Sequence, residues 1–137
     1  MRLALLSVVA AGAALLGAGP AHADNDVFTP PFVDHTMWDQ YWGDLTTLRI
    51  YPTLEGRAAA RTLQTTAQAD EAWQEVLADS PDADQPGMRA QFLCHWRLAE
   101  FAEPGKTSWN IEPWRPVVDD VKMLSTGCNP GGEEEPN

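Results

Sequence analysis

The sequence predicts an α+β domain in which two hairpins form a small antiparallel sheet and three or four helices cover it. Three observations support this prediction. Polar and apolar residues alternate on both sides of Gly43-Asp44, an apolar stripe of helical spacing lies between residues 65 and 80, and a second alternating pattern surrounds Pro104-Gly105. Consecutive strand patterns separated by short turns are typical of antiparallel hairpins.

The first hairpin is predicted from the two segments that flank Gly43-Asp44. In the first segment Trp38 and Trp42 share a face, and the opposite face also carries an aromatic residue. In the second segment Leu48 and Ile50 alternate with residues of the other face. A Gly-Asp pair between such segments favours a tight turn. Because aromatic residues occur on both faces of the first strand, we expect that strand to be covered on both sides or to present one face to a partner.

Helices are predicted where the apolar spacing changes from two residues to three or four. Thr53 is an N-cap candidate for a short helix, although Gly56 inside that helix costs about 1 kcal/mol relative to Ala. Thr65 and Gln68 have the spacing of a capping box at the start of a clearer helix. The predicted helices span residues 53–61, 65–80, 86–93 and 116–127.

The segment from Cys94 to Phe101 fits two structures. Its apolar residues alternate as in a strand, but a helix also fits, because Phe92 and Trp96 lie four residues apart. We predict a helix up to about Leu93 and a strand after it. Paired with the alternating residues 107–112, this strand forms the predicted second hairpin.

The first 23 residues have the three parts of a secretory signal peptide. Arg2 supplies a positive start, residues 3–16 contain one polar side chain, and Ala21-His22-Ala23 fits the small-x-small cleavage pattern. The apolar run is shorter than the ~20 residues that a membrane-spanning helix needs. We therefore expect cleavage after Ala23, a secreted protein and no membrane span.

The mature chain is predicted to contain one domain between two flexible ends. Residues 24–32 are mostly polar and include two consecutive prolines, so they are expected to form a flexible leader. Residues 33–130 form the single globular domain. Residues 131–137 are rich in Gly and Glu and are expected to be an acidic, disordered tail.

The charge of the chain argues against nucleic acid and anionic membranes as partners. Nine basic residues stand against twenty acidic ones, for a formal net charge of −11. Affinity for phosphate groups comes mainly from Lys and Arg, which are scarce here.

The chain also has six Trp, four Phe and two Tyr, an aromatic content that argues against disorder.

Cys94 and Cys128 are the only cysteines of the chain. Disulfides persist in exported proteins. We therefore expect a disulfide between these two residues rather than two free buried thiols. Such a bond would tie the end of the last predicted helix to the second hairpin.

Four segments of the chain resemble, in order, one known family. The segments are Leu48-Arg-Ile-Tyr-Pro-Thr, Gln91-Phe-Leu-Cys-His-Trp, Trp109-Asn-Ile-Glu-Pro-Trp-Arg-Pro and Cys128-Asn-Pro-Gly. The chain is similar over residues 34–131 to the secreted, mostly actinobacterial family catalogued as domain of unknown function 2599. The resemblance implies a small exported protein whose two cysteines match positions that the family also uses. It implies no activity, substrate or catalytic residue.

The second hairpin would gather the residues best suited to chemistry. In it Arg97 faces Glu112 across the strands, His95 shares their face, and Arg115 lies close by. A His beside a carboxylate and guanidinium groups can transfer protons or help to bind an anion. The simpler interpretation is a cross-strand ion pair between Arg97 and Glu112 that supports the sheet.

Two functions follow from these candidates, and the sequence favours the first. It is a non-enzymatic binding or interaction domain whose partner is an unknown protein or a cell-envelope glycan. The binding candidates are Trp38, Trp42, Trp114 and Arg115, although Trp also simply fills a thin core. The alternative is a small hydrolase or toxin-like effector in which His95 acts as base, Glu112 orients it, and Arg97 and Arg115 stabilise negative charge. No cofactor and no metal site are expected, because the histidines are too far apart in sequence for a ligand motif.

Export should yield a mature chain that begins at Asp24. The positive start, the apolar run and the small-x-small pattern together place the cleavage after Ala23. Intact-mass measurement of the protein recovered from the culture medium determines this terminus. A secreted form that still carries residues 3–16 would contradict the prediction.

Overall fold

The fold is taken from a computed structural model, which describes residues 27–41 and 43–134. In these residues the helices and strands are β1 Val33–Tyr41, β2 Leu45–Pro52, α1 Leu54–Ala60, α2 Thr66–Asp79, α3 Met88–Ala102, β3 Trp109–Ile111 and α4 Asp120–Ser125. The strands form one antiparallel sheet in the order β1-β2-β3. The predicted α+β class, with helices covering a small antiparallel sheet, is confirmed.

Strands β1 and β2 form the predicted hairpin around Gly43-Asp44. Tyr41 pairs with Leu45 at the end of the ladder, and Gly43 has a φ of +75°, which glycine adopts without steric cost. Leu48 and Ile50 are fully buried in the core, as their alternation predicts. The neighbouring Thr47, on the opposite face of β2, is also buried. Both faces of the sheet are therefore covered at this point.

Helix α1 begins where the sequence predicts. The Thr53 hydroxyl accepts a hydrogen bond from the Gly56 backbone N–H at 2.9 Å, which caps the helix. A Cβ at position 56 would lie 2.1 Å from the Phe32 carbonyl oxygen. Only glycine allows this approach, which brings α1 against the residues that lead into β1. The close contact explains why a residue of low helix propensity occupies the helix.

Helix α2 fastens the outer edge of β1 through carboxylates. Glu75 Oε2 accepts hydrogen bonds from the backbone N–H groups of Phe32 and Val33 at 2.8 and 2.7 Å. Asp79 accepts from the backbone N–H and the hydroxyl of Thr36, and these bonds lower the pKa of Asp79. Charge-assisted bonds of this kind are stronger than neutral ones. They also occupy edge donors that could otherwise pair with a strand of another molecule.

Five aromatic side chains form the centre of the core between the sheet and the helices. Neighbouring ring centroids in this cluster lie 5.5–6.3 Å apart, a favourable spacing for tilted and edge-to-face contacts. The cluster consists of Phe32, Trp73, Phe92, Trp96 and Trp109. Half of the six Trp residues therefore serve as core, which accounts for much of the aromatic content.

The predicted strand from Cys94 to Phe101 is wrong, because this segment belongs to α3. Helix α3 is buried on two sides. Phe92 and Trp96 face the aromatic cluster, whereas Cys94 packs with Met123 in a second, smaller core. A helix buried on two sides carries more apolar residues than a single stripe requires. In this segment the extra residues produce an alternation that imitates a strand.

Strand β3 lies within the predicted residues 107–112 but has a different partner. It pairs with β2, so that Leu48 lies opposite Ile111 and Ile50 opposite Trp109. The predicted second hairpin is therefore replaced by a connection from α3 into the sheet. The physical reason is that the three residues of β3 are all buried, which pairing with the central strand β2 and packing under α3 achieve.

The remaining helices form with changed ends. The predicted capping box at the start of α2 is wrong, because Thr65 makes no side-chain cap bond and its hydroxyl donates instead to the carbonyl oxygens of Ala59 and Thr62. The predicted helix 65–80 is α2, which ends at Asp79 just before Pro81. Helix α3 begins at Met88 and α4 at Asp120, each later than the prolines that were expected to start them. In α4 the Asp119 side chain caps the helix by accepting from the Lys122 backbone N–H at 2.8 Å. A capping carboxylate is a stronger start signal than a proline four residues earlier.

The two cysteines form the predicted disulfide. Cys94 of α3 and Cys128, which follows α4, have Cα atoms 5.5 Å apart. The bond fastens the C-terminal part of the chain to the side of α3 that faces away from the aromatic cluster.

The ends of the chain are only partly described. Residues 1–23, which were assigned to the signal peptide, lie outside the described residues, as do 24–26 and 135–137. Phe32, which was assigned to the leader, is buried in the core. Glu134, which was assigned to the tail, forms an ion pair with Lys106.

Replacing both Cys94 and Cys128 by Ala should lower the free energy of unfolding by about 4 kcal/mol, the value that the chain-entropy model gives for a loop of this length. Urea unfolding of the variant and of the oxidised parent measures the difference. The parent under reducing conditions serves as the control and should behave like the variant. A loss below about 1 kcal/mol would contradict a stabilising role for the bond, since native disulfides typically contribute more.

Candidate functional site

His95 lies on the side of α3 that faces β3 and the C-terminal segment, and only 4% of its surface is exposed. Burial of the imidazole, together with the positive charge of Lys106, lowers the pKa of His95 to about 3. A hydrogen bond with the Asn110 backbone opposes this shift, and the charge of Arg115 adds to it. His95 is therefore neutral at any ordinary pH.

The predicted pairing of Arg97 with Glu112 is wrong. Arg97 lies on α3 and is exposed, and Glu112 is buried just after β3. The Glu112 carboxylate pairs instead with the Arg115 guanidinium and accepts from the Thr47 hydroxyl at 2.9 Å. The side-chain amide of Gln91, on α3, makes two hydrogen bonds with the Glu112 backbone, each 2.9 Å long. Glu112 thus joins β2, α3 and the C-terminal segment.

Arg115 holds the end of the domain in place. It is 2% exposed, and its guanidinium donates to the carbonyl oxygens of Pro130 and Gly132 at 3.2 and 2.6 Å. The same guanidinium lies 4.4 Å from the centre of the Trp114 ring. A buried Arg with a carboxylate partner, carbonyl partners and an aromatic neighbour has few donors left for a ligand.

The geometry gives no support to the hydrolase alternative. That interpretation needs one pocket into which both His95 and Glu112 open. A cavity of about 180 Å³ does lie beside His95, but Glu112 is not among the residues that line it. Both oxygens of the Glu112 carboxylate are already bonded. Within the described residues, the bonds of Glu112 connect parts of the fold to one another.

The predicted binding residues that the structure describes have contacts within the protein. Trp38 is half-buried, and its indole N–H donates to Asp82 at 3.0 Å. Trp114 is half-buried, and Arg115, which covers its ring, is buried. Trp42 lies outside the described residues. Arg115 in particular is inaccessible to a partner.

A different surface has the shape of a binding site. Arg89, Leu93 and Arg97 lie four residues apart along the outer side of α3, and we call them the α3 stripe. A groove of about 370 Å³ separates the stripe from the connection between α1 and α2. A second groove, of about 440 Å³, separates it from α4. The stripe is therefore a ridge between two depressions.

The borders of these grooves carry exposed apolar side chains. Leu63 is 82% exposed, Phe101 59% and Leu124 50%. Large apolar residues clustered around a groove, rather than scattered singly, are typical of interaction sites. Arg89 has a carboxylate partner in Asp70. Arg97 has no ion pair with any residue that the structure describes.

The α3 stripe is not among the surfaces predicted from the sequence, because a strand assignment for residues 94–101 hides the helical position of Arg97. A helical assignment of the whole α3 segment would have found it, because positions 89, 93 and 97 have the helical spacing of four. Leu63 and Leu124 come from other parts of the chain, and only the tertiary fold brings them to the stripe.

No group of three or more His, Cys, Asp or Glu side chains within residues 27–41 and 43–134 has an arrangement that could hold a metal ion. Over the same residues, no helix combines the length and the apolar character that a membrane span requires.

Fold and site together define the class of the protein, a small disulfide-braced α+β domain with a grooved helix surface. Within that class, the chain belongs to the family described as "Protein of unknown function (DUF2599)", which matches residues 33–131. The resemblance seen in the sequence is thereby confirmed.

The relatives are mycobacterial. An uncharacterized protein of Mycobacterium tuberculosis strain H37Rv and one of Mycobacterium bovis are each 60% identical over 119 residues, which is 87% of this chain and 79% of the relative. An uncharacterized protein of Mycobacterium leprae is 50% identical over 110 residues, 80% of this chain and 88% of the relative. No solved structure matches the chain significantly.

Replacing Glu112 by Ala should lower the free energy of unfolding by about 3–5 kcal/mol, because Arg115 is left charged and buried without its carboxylate. The matched control is Arg97→Ala, which should change it by less than about 0.5 kcal/mol, as expected for an exposed side chain. Urea unfolding of both variants measures the effects. A larger loss for Arg97→Ala than for Glu112→Ala would contradict the observed ion pair.

Proposed function

We propose that this protein is a secreted, non-enzymatic binding domain that recognises an acidic, amphipathic segment of a protein partner on the α3 stripe. The observation that carries the proposal is the placement of Arg97, an exposed cation without an ion pair among the described residues, between two apolar-edged grooves. Secretion rests on the signal-peptide pattern of residues 1–23, and the disulfide is consistent with an oxidising destination.

The shape of the surface suits a protein segment. The two grooves lie on either side of one helix, so a bound segment can place apolar side chains in a groove while its backbone follows the ridge. Trp96 and Leu93 line the floor of the first groove, and Met123 and Leu124 line the second. Aromatic and aliphatic anchors in such pockets usually supply most of the binding energy of an interface.

The charge of the surface suits an acidic segment. Arg97 can offer a carboxylate two parallel N–H donors, an arrangement that adds both energy and orientation. Arg89 is held by Asp70 in an exposed pair, which contributes little stability and can exchange for a ligand carboxylate. The chain as a whole is strongly acidic, so exposed arginines grouped in one place stand out from the rest of the surface. An acidic partner avoids the rest of this surface and is directed to the stripe.

The cell-envelope glycan remains the weaker partner. Flat sugar rings are recognised by exposed aromatic faces, and two of the predicted Trp residues, Trp38 and Trp114, are half-buried and engaged in contacts within the protein. The apolar side chains around the stripe are mainly Leu, which suits a peptide better than a sugar.

The test uses the mature chain beginning at Asp24 and two synthetic amphipathic peptides. One peptide alternates Leu with Glu, and the other has Lys in place of every Glu. Titration calorimetry should detect binding of the acidic peptide only. Arg97→Glu should weaken this binding about tenfold or more, the loss of a central charged contact.

The matched control is Lys122→Glu, the same charge reversal at an exposed residue of α4 that lines neither groove. It should leave the affinity within about twofold of the parent, because an exposed charge outside both grooves contributes little. If both variants weaken the binding equally, the effect comes from the net charge of the protein and the proposal is wrong. Binding of both peptides alike, or of isolated envelope glycan independently of Arg97, would also contradict the proposal.

A further inference from the structure

Helix α4 presents an apolar face to the solvent. The residue that α4 buries is Met123, whereas Val121 is 77% exposed and Leu124 50%. These two exposed residues are three apart and therefore lie on one face of the helix. Val117, just before α4, is 67% exposed. The apolar side of a surface helix normally packs on the core, so this face lacks a partner within the part of the chain that the structure describes.

The exposed face of α4 is continuous with the second groove, the one between α3 and α4. Apolar residues of both helices, among them Leu93 and Leu124, line this groove together with Arg97 and Asp120. Leu124 belongs both to the groove and to the exposed face. The α3 stripe and α4 therefore form one surface that combines exposed apolar side chains with charges of both signs.

The opposite charges of this surface do not neutralise each other within one chain. Arg97 and Asp120 are both exposed, and neither has an ion pair with a residue that the structure describes. A two-fold axis that lies midway between two residues of one surface brings each of them against the other in a second copy. Such a contact pairs Arg97 of each copy with Asp120 of the other, so the surface is complementary in charge to itself.

The segment 117–125 has the chemistry that the α3 stripe is proposed to bind. It places Asp119 and Asp120 beside Val121 and Leu124, so it is both acidic and amphipathic. The Asp119 side chain caps its helix, and the disulfide that follows fastens it to α3. A segment that is already ordered loses little conformational freedom when it binds.

We propose that the protein forms a two-fold symmetric dimer in which α4 of each copy lies on the α3 stripe of the other. Val121 and Leu124 of one copy pack against Leu93 of the other, and Arg97 pairs with Asp120 across the contact. This inference rests on the proposed function, because it names the partner that binds the same surface. Repulsion between two acidic chains is screened beyond about 8 Å at physiological ionic strength, so the charges in direct contact decide the association.

The test measures the mass of the mature chain, beginning at Asp24, by sedimentation equilibrium. Small interfaces are usually weak and reversible, so the measurement covers about 5 to 500 µM, the range of weak affinities. The average mass should rise over this range from that of one chain to that of two.

Charge reversals test the pairing across the contact. Arg97→Glu and Asp120→Arg should each move the midpoint of association to an at least about tenfold higher concentration, because each places like charges in contact twice in the dimer. An equimolar mixture of the two variants should associate as the parent does, since the mixed dimer contains one original and one reversed pair. The matched control is Glu71→Arg, at an exposed residue of α2 that lines neither groove, which should leave the midpoint within about twofold of the parent.

A variant of the apolar face separates this inference from the proposed function. Val121 lines neither groove, so Val121→Ser alters the segment that binds and leaves the receiving surface intact. It should weaken self-association about tenfold, the loss of an apolar anchor. The acidic peptide of alternating Leu and Glu should bind this variant at least as strongly as it binds the parent.

The outcomes distinguish the two proposals. A chain that stays monomeric but binds the acidic peptide would overturn the dimer and leave the proposed function standing, with a segment of another protein as the partner. If neither a second copy nor the acidic peptide binds, both proposals are wrong. Self-association that the three variants leave unchanged would place the contact elsewhere, and a mixture of the two charge variants that does not recover would disprove the pairing of Arg97 with Asp120.

Discussion

Helix α3 is buried on two sides, and most of the structure depends on this arrangement. One side packs Phe92 and Trp96 into the aromatic cluster beneath the sheet. The other side packs Cys94 against Met123 and the segment that carries Cys128. A domain of this size has room for one central helix, so the sheet, α1, α2 and the C-terminal segment are all arranged around it. The disulfide holds the C-terminal segment against α3.

Burial on two sides forces the polar residues of α3 to find partners within the protein. Gln91 bonds to the backbone of Glu112. The buried Glu100 carboxylate accepts from Arg57 and Arg61 of the α1 region at 2.5 and 3.1 Å. Each bond fastens another part of the chain to the helix, because a buried polar group without a partner is costly. His95 is the exception, since its Nε2 has no partner among the described residues.

The third side of α3 remains exposed, and its composition differs from the rest of the surface. In a chain with a net charge of −11, this side combines two arginines with Leu93. The helices and loops beside it supply apolar side chains that the fold leaves in solvent. Structural contacts and the proposed binding surface thus lie on different sides of one helix.

The sequence by itself determined the α+β class, the first hairpin, α1 and α2, the disulfide and the family, because these depend on local patterns and on residue types. The sequence pattern of α3 was ambiguous, because the apolar residues of a helix buried on two sides can alternate as they do in a strand. Tertiary structure alone decided that β3 pairs with β2, that Arg115 rather than Arg97 partners Glu112, and that Leu63 and Leu124 meet the α3 stripe. The strand pairing and the contacts of the two leucines join residues distant in sequence. Glu112 and Arg115 are three residues apart, but Arg115 becomes the partner because Arg97 lies on the exposed side of α3. All of these contacts depend on which surfaces are buried together in the fold, and no local sequence pattern specifies this.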